Sequence, residues 1–144
     1  LCGGGDRYAT HLLKNVRSSG SGALEYVYDA EPVERVEMSS ENLSAVLAGM
    51  HDLATDGAVS QYFKDCIVDA AAKTGTVQTG DTKNNNGAFV CFAPYDDPQI
   101  AVAIVIEKGG SGAALASTAV QVLNAYFSNT SASSAITGEN TLLG

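Results

Sequence analysis

The segment Ala71–Gly80, AAKTGTVQTG, places one ammonium group and two hydroxyls around a residue without a side chain. Because side chains alternate along a strand, Lys73 and Gly75 would share one face. Thr74 and Thr76 would share the other. An ammonium group with neighbouring hydroxyls can bind a carboxylate through charge-assisted hydrogen bonds, and Gly75 would let an extended peptide pair alongside as an added strand. A solvated strand with one lysine explains the same four residues equally well.

Composition and cysteine spacing argue against several other kinds of site. Of the 144 residues, 16 are acidic and 8 are basic, giving a net charge of -8. Such a chain repels phosphate backbones, so we expect no nucleic-acid partner. Cys2, Cys66 and Cys91 are too far apart for a CxxC metal site, and both histidines stand alone, so we expect no metal and no cofactor. One disulfide with one free thiol remains open, a bond between Cys66 and Cys91 being one alternative.

The elements that must position the motif are predicted by periodicity and turn residues. Strand-like runs at 8–17 and 23–28, separated by SSGSG, predict a hairpin. Three more strands are expected at Ala70–Gln78, Ala88–Ala93 and Ile100–Glu107, joined by the loop GDTKNNNG and the tight turn PYDDPQ. The last strand is apolar at nearly every position, which predicts that both of its faces are covered.

The sequence also predicts helices before and after these three strands. An apolar stripe predicts a helix that Ser39 or Ser40 can cap and Gly57 can end; its members are Leu43, Val46, Leu47, Met50 and Leu53. His51 lies beside this stripe, and we expect it to be packed or solvated and not catalytic. AVSQYFKD predicts a short helix, and AALASTAVQVLNAYF predicts another after the last strand. The fold class is therefore α+β, an antiparallel sheet with packed helices.

The ordered set of segments resembles the C-terminal part of the penicillin-binding proteins, the serine D,D-transpeptidases that cross-link peptidoglycan. The family pattern is a KTGT strand, an FVGFAP strand, an acidic-proline turn, an IAVAVVVE strand, a glycine pair and a helix. Here the order is AAKTGTVQ, GAFVCFAP, YDDPQ, IAVAIVIE and KGGSG, and K-T-G is one of the motifs of this enzyme class. The opening GGGDRYATHLLKNV is similar to the family's NGG…Y…PHLVK segment, so the resemblance covers about residues 3–127.

The resemblance implies a partial β-lactamase/transpeptidase-like fold and a role for each motif residue. Residues 1–127 would be the C-terminal segment of a transpeptidase domain. Residues 128–144 are small and rich in hydroxyls, and from this composition we expect a poorly ordered tail. Lys73 would supply positive potential and assist proton transfer. Thr74 and Thr76 would bind the terminal carboxylate of a D-Ala-D-Ala stem peptide or of a β-lactam, and the Thr76 backbone N–H would donate to the oxyanion. Gly75 would permit the close approach.

The chain lacks other parts of the family's catalytic centre. No serine stands three residues before any lysine, so the S-x-x-K nucleophile motif is absent. The one S-x-N match, Ser40-Glu41-Asn42, falls at a predicted helix start, before the K-T-G segment but after the NGG-like opening, where the family does not place it. We interpret it as a helix cap. We therefore expect the nucleophile and its base upstream of Leu1 and expect this chain alone to be inactive.

The resemblance also implies where the parent protein works and what else it could be. A transpeptidase of this kind would lie on the extracytoplasmic face of the bacterial membrane, anchored by an N-terminal segment outside this chain. Its partners would be stem peptides, β-lactams and the rest of the same protein. A β-lactam sensor and a β-lactamase of the same fold remain alternatives, although FAPYDDPQIAVAIVIE is most similar to the transpeptidases.

Overall fold

The computed structural model describes residues 5–78 and 85–135, which form two compact units, one up to Leu43 and one from Ser44 onward. Residues 80–84 of the predicted loop GDTKNNNG, Cys2 and residues 136–144 lie outside the described residues. The elements, in chain order, are β1 (Asp6–Tyr8), β2 (Asn15–Arg17), β3 (Leu24–Val27), β4 (Pro32–Arg35), α1 (Ser40–Thr55), α2 (Ser60–Phe63), β5 (Ala71–Val77), β6 (Asn86–Ala93), β7 (Ile100–Ile106), a 3₁₀ turn (Gly112–Leu115) and α3 (Ala116–Ala135).

The first unit contains two antiparallel strand pairs, β1 with β4 and β2 with β3. The predicted hairpin is confirmed in its inner part, because β2 and β3 pair around a turn in which Gly22 adopts a φ of 68°. The prediction of one strand over 8–17 is wrong, since residues 9–14 separate β1 from β2 and His11 in this segment stacks on Tyr28. Exposed ion pairs join β1 to β4, and at such exposure they add little stability.

Helix α1 begins and ends as its sequence predicts. The Ser39 hydroxyl accepts a hydrogen bond from the Asn42 N–H at 3.2 Å, which identifies Ser39 as the cap. At the other end the Gly57 N–H donates to the carbonyl of Asp52 at 2.7 Å. On the apolar stripe Met50 is buried, whereas Val46 is exposed.

The second unit is built on an antiparallel sheet in the order β5-β6-β7. Residues paired directly across strands share a face of the sheet. On one face Phe89 and Cys91 pack with Leu115, Ala119 and Leu123, members of a core that also includes Val59 and Phe63. On the other face Met50 of α1 packs against Ala71 and Phe92. The α+β prediction is therefore confirmed.

The expectation that both faces of β7 are covered is wrong for this chain. Ile100, Val102 and Ile104 pack against the core, but Ala101, Ala103 and Val105 are exposed, Val105 by 72%. The reason is that α1 covers the second face only near Ala71 and Phe92. The far end of that face, beside β7, is left open in the part of the chain that the structure describes.

The last helix is longer than its apolar pattern indicates. Its start is preceded by a 3₁₀ turn in which the Ser111 hydroxyl accepts from the Ala113 N–H at 3.3 Å. Helix α3 then continues to Ala135, into the segment 128–144 for which the sequence predicts a tail. No helix within the described ranges is long and apolar enough to cross a membrane.

Candidate functional site

The KTGT motif lies on β5, an edge strand of the second unit. Within residues 44–78 and 85–135, β5 pairs with β6 on one side and with no strand on the other. Its seven residues are in continuous register with β6, from Ala71 opposite Phe92 to Val77 opposite Asn86. An edge strand presents a row of unpaired backbone N–H and C=O groups, so β5 is open to an additional extended chain.

The pairing with β6 assigns each motif side chain to a face. Thr74 lies opposite Phe89, which is buried in the core beneath α3, and Thr76 lies two residues further along the same face. Lys73 lies opposite Val90, on the face that α1 covers only in part. The predicted alternation is thereby confirmed, and the ammonium and the hydroxyls leave the strand in different directions.

Lys73 is exposed, and its ammonium group donates to the backbone carbonyl of Thr74 at 2.7 Å. Among the described residues, no carboxylate lies within ion-pair distance of the Lys73 ammonium group. Thr74 is half-buried and Thr76 is exposed. Lys73, which has no carboxylate partner among the described residues, and the two hydroxyls therefore lie on opposite faces of one edge strand. A positive charge and hydroxyl donors are groups that bind an anionic ligand.

The 3₁₀ turn packs closely against β5 on the core side of the sheet, a contact that the sequence did not predict. Gly112, in the 3₁₀ turn, is buried against the β5–β6 ladder. A Cβ added there would lie 2.3 Å from the Gly75 carbonyl oxygen and 2.2 Å from that of Ala88. Only glycine fits at this point. The run KGGSG predicted a connection between strand and helix, but nothing in the pattern indicated which glycine meets the motif.

The other residues singled out in the sequence take structural positions. Ser40 is the first residue of α1, and the preceding Ser39 caps the helix, so the S-x-N match lies at a helix start as expected. His11 stacks on Tyr28 with ring centroids 3.7 Å apart. His51 is partly buried and contacts Asp69 and Tyr95, so it is packed as predicted, although the sequence named neither partner.

Cys66 and Cys91 are free thiols in the same core cluster. Cys91 is buried opposite Ala72 of β5. Burial, with a smaller contribution from the nearby Cys66, raises the pKa of Cys91 to about 12. Burial also raises the pKa of Cys66, and the charge of Asp69 acts in the same direction. Neither thiol is activated as a nucleophile. No cluster of metal-ligating side chains occurs among the described residues.

The chain matches the family model "Penicillin binding protein transpeptidase domain" over residues 1–127. Among curated proteins it is 33% identical over 119 residues to penicillin-binding protein 2A of Bacillus subtilis, covering 74% of this chain and 17% of that protein. It is also 33% identical over 130 residues to the peptidoglycan D,D-transpeptidase MrdA of Escherichia coli K12, covering 79% of this chain and 20% of that protein. The chain thus spans about a fifth of the length of these relatives.

Solved structures show the same fold. Penicillin-binding protein 2B of Streptococcus pneumoniae R6 superposes with a TM-score of 0.71 at 22% identity, over 89% of this chain and 23% of that one. The imipenem acyl-enzyme of penicillin-binding protein A from M. tuberculosis gives a TM-score of 0.69 at 23% identity, over 88% of this chain and 28% of that one. At these identities the superpositions establish the architecture of the chain.

Proposed function

Because the chain belongs to the family of penicillin-binding protein transpeptidase domains, we propose that it supplies the KTGT strand of a serine D,D-transpeptidase that cross-links peptidoglycan stem peptides. The observation that carries this proposal is the ammonium group of Lys73 on an edge strand, with no carboxylate partner among the described residues and with the hydroxyls of Thr74 and Thr76 next along the strand. Strand β5 would bind the terminal carboxylate of a D-Ala-D-Ala stem peptide. A β-lactam carboxylate would occupy the same place.

Each motif residue has a role that its position supports. The hydroxyls of Thr74 and Thr76 would donate hydrogen bonds to the ligand carboxylate, and Lys73 would add positive potential and assist proton transfer. The backbone N–H of Thr76 would be one of two donors to the oxyanion of the tetrahedral intermediate. Removing one such donor typically slows acyl transfer by about 100- to 1,000-fold. Gly75 leaves room for the ligand backbone beside the strand.

The nucleophile would come from elsewhere in the parent protein, because this chain has no S-x-x-K motif. A serine oxygen would attack the carbonyl of the penultimate D-Ala, form an ester and release the terminal D-Ala. An amine of a second stem peptide would then attack the ester, form the cross-linking amide and release the serine. The open sheet face beside Lys73, with Val90, Ala103 and Val105, is where another part of the parent would pack.

The parent protein would work on the extracytoplasmic face of the bacterial membrane, where peptidoglycan is assembled, held by an anchor that lies outside this chain. The relatives at 33% identity support this, since one is named a peptidoglycan D,D-transpeptidase. The mycobacterial protein of the same fold is described as an acyl-enzyme with imipenem, which is consistent with β-lactam binding by the parent protein.

Labelling of the parent protein by a fluorescent penicillin tests the proposal. We expect covalent labelling that slows by about tenfold or more in Lys73→Ala, which removes the positive potential, and in Thr76→Ala, which removes a charge-assisted hydrogen bond to the ligand carboxylate. Lys64→Ala and Thr118→Ala remove the same side chains at exposed positions away from β5 and should label normally. Unchanged labelling of both β5 variants would disprove the assigned roles.

Further experiments test the chain alone and separate the alternative functions of the parent protein. The 144-residue chain alone should form no adduct, and a stable adduct would place a nucleophile within it. Rapid release of hydrolysed penicillin by the parent would indicate a β-lactamase. A stable adduct on a parent that never produces cross-linked peptide would indicate a β-lactam sensor.

A further inference from the structure

His51 on α1 is bound to the residue that leads into the motif strand. Its Nε2 lies 3.0 Å from both carboxylate oxygens of Asp69, two residues before β5 begins. Since an ionised carboxylate only accepts hydrogen bonds, the Nε2 carries the proton and donates. The His51 side chain is 28% exposed and the Asp69 side chain 55%, so solvent reaches this contact mainly from the carboxylate side.

The same aspartate is tied to a second element. Its backbone carbonyl accepts from the Tyr95 N–H at 3.0 Å, just after β6 ends, and its carboxylate accepts from the Ala70 N–H at 3.1 Å. The ring of Tyr95 stacks on the His51 imidazole, with centroids 4.3 Å apart and planes 22° apart. Helix α1 therefore contacts the carboxylate of Asp69, and the exit from β6 contacts the backbone carbonyl of the same residue, at the entry to β5. We call His51, Asp69 and Tyr95 the entry clamp.

We propose that His51 is a positioning residue for the motif strand and acts through Asp69. Among the described strands β5 is paired with β6 only, so its position on the free side depends on how its ends are fixed. Lys73 is four residues beyond Asp69, about 14 Å along an extended strand. A displacement of the strand entry is transmitted along β5, because its seven residues are hydrogen-bonded in continuous register.

This inference rests on the proposed function, because the position of β5 sets a reaction rate if its motif binds the ligand carboxylate and the oxyanion. The clamp residues lie outside the KTGT motif: His51 contacts Asp69 and Tyr95. A small misplacement of the carboxylate- and oxyanion-binding groups affects the acylation step more than the initial encounter with the ligand, because acylation needs the reacting atoms aligned.

The test uses the parent protein, with saturation kinetics of penicillin acylation that separate the dissociation constant from the acylation rate constant. At a temperature where every variant is folded, His51→Ala should lower the rate constant by about tenfold and leave the dissociation constant within about twofold. His51→Gln, whose amide can donate from the same place, should restore most of the rate. Asp52→Asn changes a neighbouring carboxylate on α1 and should behave as wild type.

Hydrogen exchange gives a readout that does not depend on activity. In His51→Ala the amides of Ala71–Val77 should exchange several-fold faster, whereas those of β7 should not change. If the wild-type parent is not acylated, the proposed function fails and hydrogen exchange alone decides the role of His51. An acylation rate constant in His51→Ala within about twofold of wild type, or in the unacylated case unchanged exchange in β5, would overturn the positioning role.

Discussion

The side chain of Asn124 on α3 accepts a hydrogen bond from the backbone N–H of Ile67, 57 residues earlier, at 3.0 Å. Its amide nitrogen also donates to the carbonyl of Asp65 at 2.9 Å. One side chain thus satisfies two backbone groups on either side of Cys66, in the loop that leads to β5. This is how the last helix holds the approach to the motif strand.

We expect Asn124→Ala to lower the free energy of unfolding of the chain by about 1–3 kcal/mol, because two backbone groups lose their partner. Thermal unfolding followed by circular dichroism would show a melting temperature roughly 4 °C lower for each kcal/mol. Gln121→Ala, an exposed amide on the same helix, should change stability by less than about 0.5 kcal/mol. Equal effects of the two substitutions would contradict the bridging role.

A second prediction contrasts two glycines. Gly112→Ala would place a methyl group 2.2 Å from the carbonyl oxygen of Ala88, so the 3₁₀ turn must move away from β5. We expect a loss of about 1–3 kcal/mol. Gly49→Ala in α1 meets no atom within 4 Å and should stabilise the chain by about 0.5–1 kcal/mol, because alanine favours the helix. Urea unfolding of both variants would measure the opposite signs.

The sheet of the second unit could be predicted because its strands and turns are determined by residues that are close together in the sequence. The predicted strands Ala70–Gln78, Ala88–Ala93 and Ile100–Glu107 differ from β5, β6 and β7 by no more than two residues at any end. Turn residues between β6 and β7 fix an antiparallel connection, and alternation along β5 assigns the motif side chains to faces. The KTGT strand was recognised as the candidate site from the order of the segments around it.

What could not be predicted depends on contacts between distant segments. His51 and Asp69 are 18 residues apart, and no periodic pattern relates a helix residue to a strand entry. Likewise, the apolar residues of β7 indicate a preference for burial but not which element provides it, so the pattern predicted coverage of both faces although Val105 is exposed. Residues 9–14 have strand-like types, yet they lie outside β1 and β2.

Thiol reactivity provides a third prediction. With a pKa of about 12, Cys91 is a thiolate at pH 8 in only about one molecule in ten thousand, and it is also buried. In a reduced Cys2→Ser background, we expect Cys66 to react first with a disulfide reagent and Cys91 only after unfolding. Cys66→Ser in that background should leave almost no reactive thiol in the native chain. Two equally fast thiols would show that Cys91 is accessible.

The exposed face of the sheet leads to the last prediction. Val105 and Val90 are exposed on the same face, with Ala103 between them on β7, so a continuous apolar strip borders Lys73. Because such surface favours association, we expect the isolated chain to self-associate as its concentration rises, measured by sedimentation velocity. Val105→Lys should shift the chain toward the monomer. Val122→Lys makes the same exchange at an exposed position on α3 and should leave self-association unchanged, since it does not lie on the strip. If Val122→Lys dissociates the chain while Val105→Lys does not, association occurs through the helical face instead.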